Sequence, residues 1–143
     1  MELLLPWMPG IFLLLGLLFG SLANVIIYRL PLMMGIDSES DDAGVNLWWP
    51  PSHCPECKTD IKPRDNIPVL SWLLLRGKCR YCATSIPAIY PLSELAMGLV
   101  WCALAFFGAS LPPVLQLAWA LLFLQLYTAE VIDFKHMILP DAL

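Results

Sequence analysis

Three long apolar runs separated by polar segments dominate the sequence. Residues 11–28 carry no charge, residues 92–109 contain a single carboxylate near their start, and residues 114–132 contain one near their end. A helix of about 20 apolar residues crosses a hydrocarbon core of roughly 30 Å. Residues 110–113 leave room only for a tight turn, so the second and third helices are expected to be antiparallel neighbours. The pattern predicts an all-α polytopic membrane protein with three transmembrane helices.

The first run has a second interpretation, a cleaved signal peptide. Ser21, Leu22 and Ala23 resemble a small-residue cleavage site. However, the chain begins with Glu2 instead of a basic residue, and the apolar run exceeds the usual length of about 7 to 15 residues. We therefore interpret residues 1–30 as a retained transmembrane helix.

The composition agrees with a membrane protein. Hydrophobic residues make up 59% of the 143 residues and charged residues 14%, and the mean hydropathy is +0.70. Soluble domains carry about 25% charged residues. The formal net charge is −4, with 8 basic against 12 acidic side chains, which leaves no broad cationic surface for phosphates. We expect membrane lipid as a partner and no nucleic acid.

Basic residues indicate the orientation. All but one of the 8 Lys and Arg residues lie between the first and second runs, and Lys135 follows the third. Because Lys and Arg are enriched in cytoplasmic loops, the amino terminus is expected to be periplasmic and the loop of residues 31–90 cytoplasmic. Within this loop, residues 67–75 are apolar but too short to cross a bilayer, so they either pack on the loop's own fold or lie on the membrane surface.

Two cysteine pairs in this loop predict a metal site. Cys54 and Cys57 form one CxxC pair, and Cys79 and Cys82 form another after 21 intervening residues. Four thiolates at such spacing complete the tetrahedral shell of a structural Zn²⁺ site. The alternatives are two disulfides, which a reducing cytosol disfavours, a redox CxxC, or no site at all. The loop is therefore predicted to be a four-cysteine zinc-binding domain.

The end of the third run carries a second group of candidate residues. A carboxylate at the edge of a span is a functional candidate, because such groups are costly in lipid. If the helix continues to Leu139, Glu130 and Asp133 share one face and His136 follows one turn later. Asp141 is expected past the helix. The plainer interpretation is that Asp133, Lys135 and His136 mark the point where the helix leaves the lipid.

Six segments together form an ordered series that covers nearly the whole chain. They are residues 20–31 (GSLANVIIYRLP), 54–58 (CPECK), 65–72 (DNIPVLSW), 77–82 (GKCRYC), 90–95 (YPLSEL) and 133–141 (DFKHMILPD). By this series the sequence resembles the type IV prepilin peptidases, which are GxGD aspartyl proteases of the bacterial inner membrane.

The resemblance implies a bifunctional enzyme. It removes the leader of type IV prepilins and type II secretion pseudopilins at the cytoplasmic face and then N-methylates the new terminus with S-adenosylmethionine. Asp133 corresponds to the family's first catalytic aspartate. Accordingly, residues 91–111 would be the second span, and residues 112–143 the third span with the start of the aspartyl peptidase domain.

The family's second aspartate lies in a later GxGD motif that the 143 residues do not contain. The chain is therefore expected to be an incomplete portion, missing the carboxy-terminal part with GxGD, and not to cleave a peptide bond alone. A fragment, a split gene and a degenerate copy are the alternatives.

By the same resemblance, the cysteine loop is tied to methyl transfer, with Gly77 and Lys78 as candidates. Arg29, Glu94, His136 and Asp141 are candidate supporting residues. Arg29 is expected to pair with Glu94 or with acidic substrate groups, or simply to snorkel at the helix end. Gly77 has a plainer interpretation as the turn that opens the second cysteine pair.

Two non-enzymatic functions remain open at this point. One is a zinc-stapled membrane protein that binds pilin precursors or assembly machinery without processing them. The other is a three-span scaffold with a rubredoxin-like or zinc-ribbon knuckle and no link to pilins.

Overall fold

The computed structural model describes residues 5–36 and 46–136. Four α-helices follow a short 3-10 helix, Leu5–Trp7, and a second 3-10 helix, Pro63–Asp65, lies between the first and second of them. The α-helices are α1 (Met8–Met33), α2 (Leu70–Leu74), α3 (Ile89–Phe107) and α4 (Pro113–His136).

Three of these helices, α1, α3 and α4, are long and apolar enough to cross a membrane. Within the described residues there is no strand beyond two isolated bridges, His53 with Asp60 and Lys78 with Ser85. The predicted class, a mainly helical protein with three candidate transmembrane helices, is confirmed. The division of the chain into domains stays a prediction.

Helices α1 and α3 form the closest contact in the fold, and glycines make that contact possible. A Cβ atom added at Gly16 would lie 2.8 Å from both the Gly98 Cα and the Met97 carbonyl oxygen. One added at Gly20 would lie 2.8 Å from the Glu94 Cα. Since small residues four apart let two helix backbones approach closely in lipid, Gly16 and Gly20 determine which face of α1 meets α3.

The apolar core lies where α4 joins this pair. Phe12, Met97, Trp101, Ala105 and Ala120 form one buried cluster with residues from all three helices. The Phe19 ring stacks on Trp101 at a centroid distance of 5.0 Å. The partly buried side chains packed against the cluster are Met8, Leu15, Phe19, Val100, Leu104, Leu124 and Tyr127.

Residues 46–88 form a small unit at one end of the helices, which we call the cysteine module. Two buried charged side chains of the helices hold it. The Arg29 guanidinium of α1 donates to the carbonyl oxygens of Asn46 at 2.9 Å and Pro50 at 2.7 Å. The Glu94 carboxylate of α3 accepts a 2.7 Å hydrogen bond from the backbone N–H of Val69, next to α2. The module is therefore attached to both α1 and α3.

Candidate metal centre

The four cysteines of the two CxxC pairs converge on one point. Their sulfur atoms all lie within 4.8 Å of one another, and the Sγ atoms of Cys54 and Cys82 are 3.7 Å apart. Four sulfurs at the usual Zn–S distance of about 2.3 Å stand about 3.8 Å apart at the corners of a tetrahedron. All four thiols are free. The arrangement can therefore hold a metal ion, and the predicted convergence of the cysteines is confirmed.

The two CxxC turns have the same backbone structure. The Cys54 N–H donates to the Thr59 carbonyl at 3.0 Å, and the Cys79 N–H donates to the Thr84 carbonyl at 2.8 Å. The residue after each pair, Lys58 or Ala83, has a positive φ of 55° or 57°. This turn points backbone N–H groups at the sulfurs.

Two threonines complete the turns, and the cysteine spacing alone did not reveal them. Hydrogen bonds from the side chain and backbone of Thr59 lower the pKa of Cys57. Bonds from the backbone and side chain of Thr84 lower the pKa of Cys82 in the same way. The sequence signal is present as a repeated C-x-x-C-x-T pattern. These donors favour the thiolate form that a metal needs.

The donor set fits a structural zinc site. Backbone N–H groups of Cys82 and Tyr81 lower the pKa of Cys79. The N–H of Cys57 acts to lower the pKa of Cys54, but burial and the adjoining sulfurs outweigh it and raise that pKa to about 11. A thiol with that pKa stays protonated at neutral pH unless a cation neutralises the charge. Four sulfur donors are the number that would fill the tetrahedral shell of a closed structural site.

Gly77 and Lys78 play different parts beside this centre. Gly77 has a φ of +68°, and a Cβ there would lie 2.8 Å from Cζ2 of the Trp72 ring. The same indole donates from Nε1 to the Ile86 carbonyl at 2.9 Å. Gly77 therefore packs under Trp72 at the start of the second turn, whereas the Lys78 side chain is exposed.

One ion pair ties the second cysteine pair to the 3-10 helix before α2. Arg80 donates to both carboxylate oxygens of Asp65, from Nε at 2.9 Å and from Nη2 at 2.6 Å. The hydrogen bonds from Arg80 lower the pKa of Asp65, and the charges of Arg80, Arg64 and Lys62 add to the effect.

Arg29 and Glu94 do not form the ion pair that the sequence suggested. Among the residues described, Arg29 bonds backbone carbonyls and Glu94 bonds the Val69 N–H, as given above. Both side chains are buried, with exposed fractions of 8%. Each charge is thus placed against backbone dipoles of the cysteine module.

The acidic candidates lie on or beyond the end of α4. Asp133 is half-buried, and Glu130, three residues earlier, is exposed. His136 is the last residue of α4, and Asp141 lies outside the described residues. Because α4 begins shortly after α3 ends and packs back along it, Asp133 lies at the same end of the helices as Arg29, Glu94 and the cysteine module.

Comparison with known proteins identifies the family. Residues 14–107, more than half of the chain, match the family model described as "Bacterial Peptidase A24 N-terminal domain". The chain is 42% identical to a prepilin leader peptidase/N-methyltransferase of Pectobacterium carotovorum subsp. carotovorum, and the match covers 99% of this chain and 54% of that protein. Proteins of the same description from Stutzerimonas stutzeri and Klebsiella pneumoniae are 44% and 42% identical and are covered over 49% and 58% of their lengths.

The chain spans about half the length of the relatives it matches. No solved structure matches it. The matched region contains most of α1, the cysteine module with its four sulfurs, and α3. The chain belongs to the bacterial A24 peptidase family and corresponds to its amino-terminal domain.

Proposed function

We propose that this chain is the amino-terminal part of a prepilin leader peptidase and N-methyltransferase. The activity would cleave the leader of type IV prepilins and type II secretion pseudopilins and then methylate the new amino terminus with S-adenosylmethionine. The observation that carries the proposal is the cluster of four sulfurs within a chain whose relatives bear that description. The substrates and the methyl donor come from the family resemblance.

In this proposal the cysteine module binds Zn²⁺ through Cys54, Cys57, Cys79 and Cys82. The metal would be structural, because four thiolates leave no position for a water or a substrate. It would fold residues 46–88 and thereby hold Arg29 and Glu94 in their contacts with the module. Gly77 and Lys78 remain proposed methyl-transfer residues; the packing of Gly77 under Trp72 supports a structural part for it, and Lys78 is the exposed member of the pair.

Asp133 is the proposed first catalytic carboxylate of an aspartic peptidase. Peptide hydrolysis of this kind needs two carboxylates that share a proton, one to activate water and one to polarise the scissile carbonyl. The family's GxGD motif would supply the second. The position of Asp133 near the end of a candidate span supports this, because a pilin precursor presents its leader at the membrane edge. His136 and Asp141 would be supporting residues.

The proposed location is the bacterial inner membrane, with a periplasmic amino terminus and a cytoplasmic cysteine module. The concentration of basic residues in the loop that contains the module supports this orientation. A reducing compartment also agrees with four free thiols.

The test uses the complete gene product in membranes with a prepilin substrate. Asp133→Asn is expected to abolish leader cleavage while the zinc content stays at one ion per chain. Glu130→Gln, an exposed carboxylate on the same helix, is the matched control and is expected to cleave normally. Cleavage by the Asp133→Asn enzyme would remove Asp133 from the mechanism. Zinc binding and prepilin capture without cleavage in the unsubstituted protein would instead support a non-catalytic binding protein.

A further inference from the structure

An apolar surface of the cysteine module is exposed in the structure. Trp48 is 85% exposed and Leu74 is 71% exposed, and Trp49, Leu70 and Leu73 are also largely exposed. In α2, Leu70, Leu73 and Leu74 share one face. On the other face Ser71 is buried and the Trp72 indole donates to the Ile86 carbonyl. We call these five residues the interfacial surface.

The contact between Glu94 and Val69 indicates the depth of α2. Helix α3 has 19 residues and so rises about 28 Å, close to the roughly 30 Å of a hydrocarbon core. Its ends therefore lie near the two edges of that core. Glu94 follows the start of α3 by about 7 Å along the axis, and it bonds the Val69 N–H at 2.7 Å. The start of α2 is thus held within about 7 Å of that edge, inside the roughly 5–10 Å that an interfacial helix penetrates below the boundary between headgroups and acyl chains.

The contacts of Arg29 indicate the depth of the two tryptophans independently. Gly20 of α1 packs against Glu94 of α3, and the rise of about 20 Å from Gly20 to Met33 carries the last turn of α1 past the start of α3, among the headgroups. Arg29, near that last turn, bonds the carbonyls of Asn46 and Pro50. Trp48 and Trp49 lie between those two residues in the chain, and Asn46 Oδ1 accepts hydrogen bonds from the backbone N–H groups of both tryptophans. The contacts of Arg29 therefore hold the two tryptophans at the depth of the last turn of α1.

The charges around this surface suit an anionic leaflet. Residues 46–88 contain six Lys and Arg residues against three carboxylates. Two of the basic residues, Arg64 and Arg76, flank the apolar residues of α2 and have exposed side chains. An apolar face with basic residues at its border is typical of helices that lie in the membrane interface, and Trp is enriched at the same depth.

We propose that the interfacial surface inserts into the headgroup region of the leaflet on the side of the cysteine module, with anionic phospholipid as its partner. The module would then lie flat on the bilayer, held by lipid as well as by Arg29 and Glu94. This inference needs the three membrane-spanning helices but not the peptidase or methyltransferase function.

The first test places the photocrosslinker p-benzoylphenylalanine at Leu74 in the chain reconstituted in nanodiscs of phosphatidylethanolamine and phosphatidylglycerol. Leu126, 59% exposed on α4, is the lipid-facing control, and Glu56, in the exposed turn of the first cysteine pair, is the aqueous control. Intact mass is expected to show lipid adducts at position 74 near the level at 126 and several-fold above 56. A yield at 74 equal to that at 56, or a crosslink to a second copy or to another protein, would overturn the proposal.

The second test leaves α2 unchanged. Tryptophan fluorescence is compared between the parent chain and the Trp48→Phe/Trp49→Phe variant, with lipids brominated near the glycerol and with iodide in the water. The signal lost in the variant is expected to be quenched by the bromolipid and shielded from iodide. Quenching of that signal by iodide alone would refute insertion, whatever the crosslinking result.

Discussion

Gly77→Ala is expected to weaken zinc binding through the backbone rather than through any ligand. An alanine at a φ of +68° is in the left-handed region, which costs about 1–2 kcal/mol for a residue with a Cβ. The new Cβ would also lie 2.8 Å from the Trp72 ring. Moving that ring breaks the Nε1 bond to the Ile86 carbonyl, which costs about 0.5–1.5 kcal/mol more.

The combined cost of about 1.5–3.5 kcal/mol falls on the folded, metal-binding form of the module. Because binding of a structural metal and folding are coupled, zinc affinity is expected to fall about 10- to 300-fold. The assay is competition for zinc against a chromophoric chelator, with the chain in detergent micelles.

Two matched variants separate the backbone effect from other causes. Lys78→Ala changes the exposed neighbour and is expected to leave zinc affinity unchanged. Arg76→Gly relieves the positive φ of 52° at Arg76 and is expected to bind zinc at least as tightly as the parent chain. Wild-type zinc affinity in Gly77→Ala would refute the reasoning. If the Gly77→Ala variant of the complete enzyme kept wild-type zinc affinity but lost methyl transfer, the result would support a contact between Gly77 and the methyl donor.

Three further predictions concern one contact between two helices, one between a helix and the module, and one within the module. Gly16→Leu is expected to separate α1 from α3, because its Cβ meets backbone at 2.8 Å, and to lower the melting temperature in detergent; Gly10→Leu, with nothing within 4 Å, is the control. Glu94→Ala is expected to speed hydrogen exchange at the Val69 amide, and Glu94→Gln, which keeps an acceptor oxygen, to restore protection; equal exchange in both would contradict the attachment. Asp65 should titrate below its usual pKa in an NMR titration, and Arg80→Gln should bring it back. Because the folded-state pKa is the lower one, the stabilisation from this carboxylate is complete above about pH 4 and is lost as the pH falls through the folded-state value.

The sequence predicted the three candidate spans and the metal-binding cysteines for simple physical reasons. Lipid requires a continuous apolar run of a certain length, so the pattern of residues 92–109 and 114–132 indicates helices without knowledge of their neighbours. A CxxC pair similarly places two sulfurs for one ion through local geometry alone. The cysteines therefore met as expected, although the two supporting threonines became evident only from the turns.

Only the tertiary structure decided the partners of Arg29 and Glu94. An ion pair between them is reasonable by charge, but both side chains bond backbone groups of the cysteine module. The Val69 N–H that Glu94 bonds is 25 residues away in the chain. The choice of Gly16 and Gly20 as the contact with α3 is likewise set by how the two helices cross. Spans and CxxC pairs are determined by local spacing and by the solvent each segment meets, whereas these partners depend on which distant segments the folded chain brings within hydrogen-bond distance.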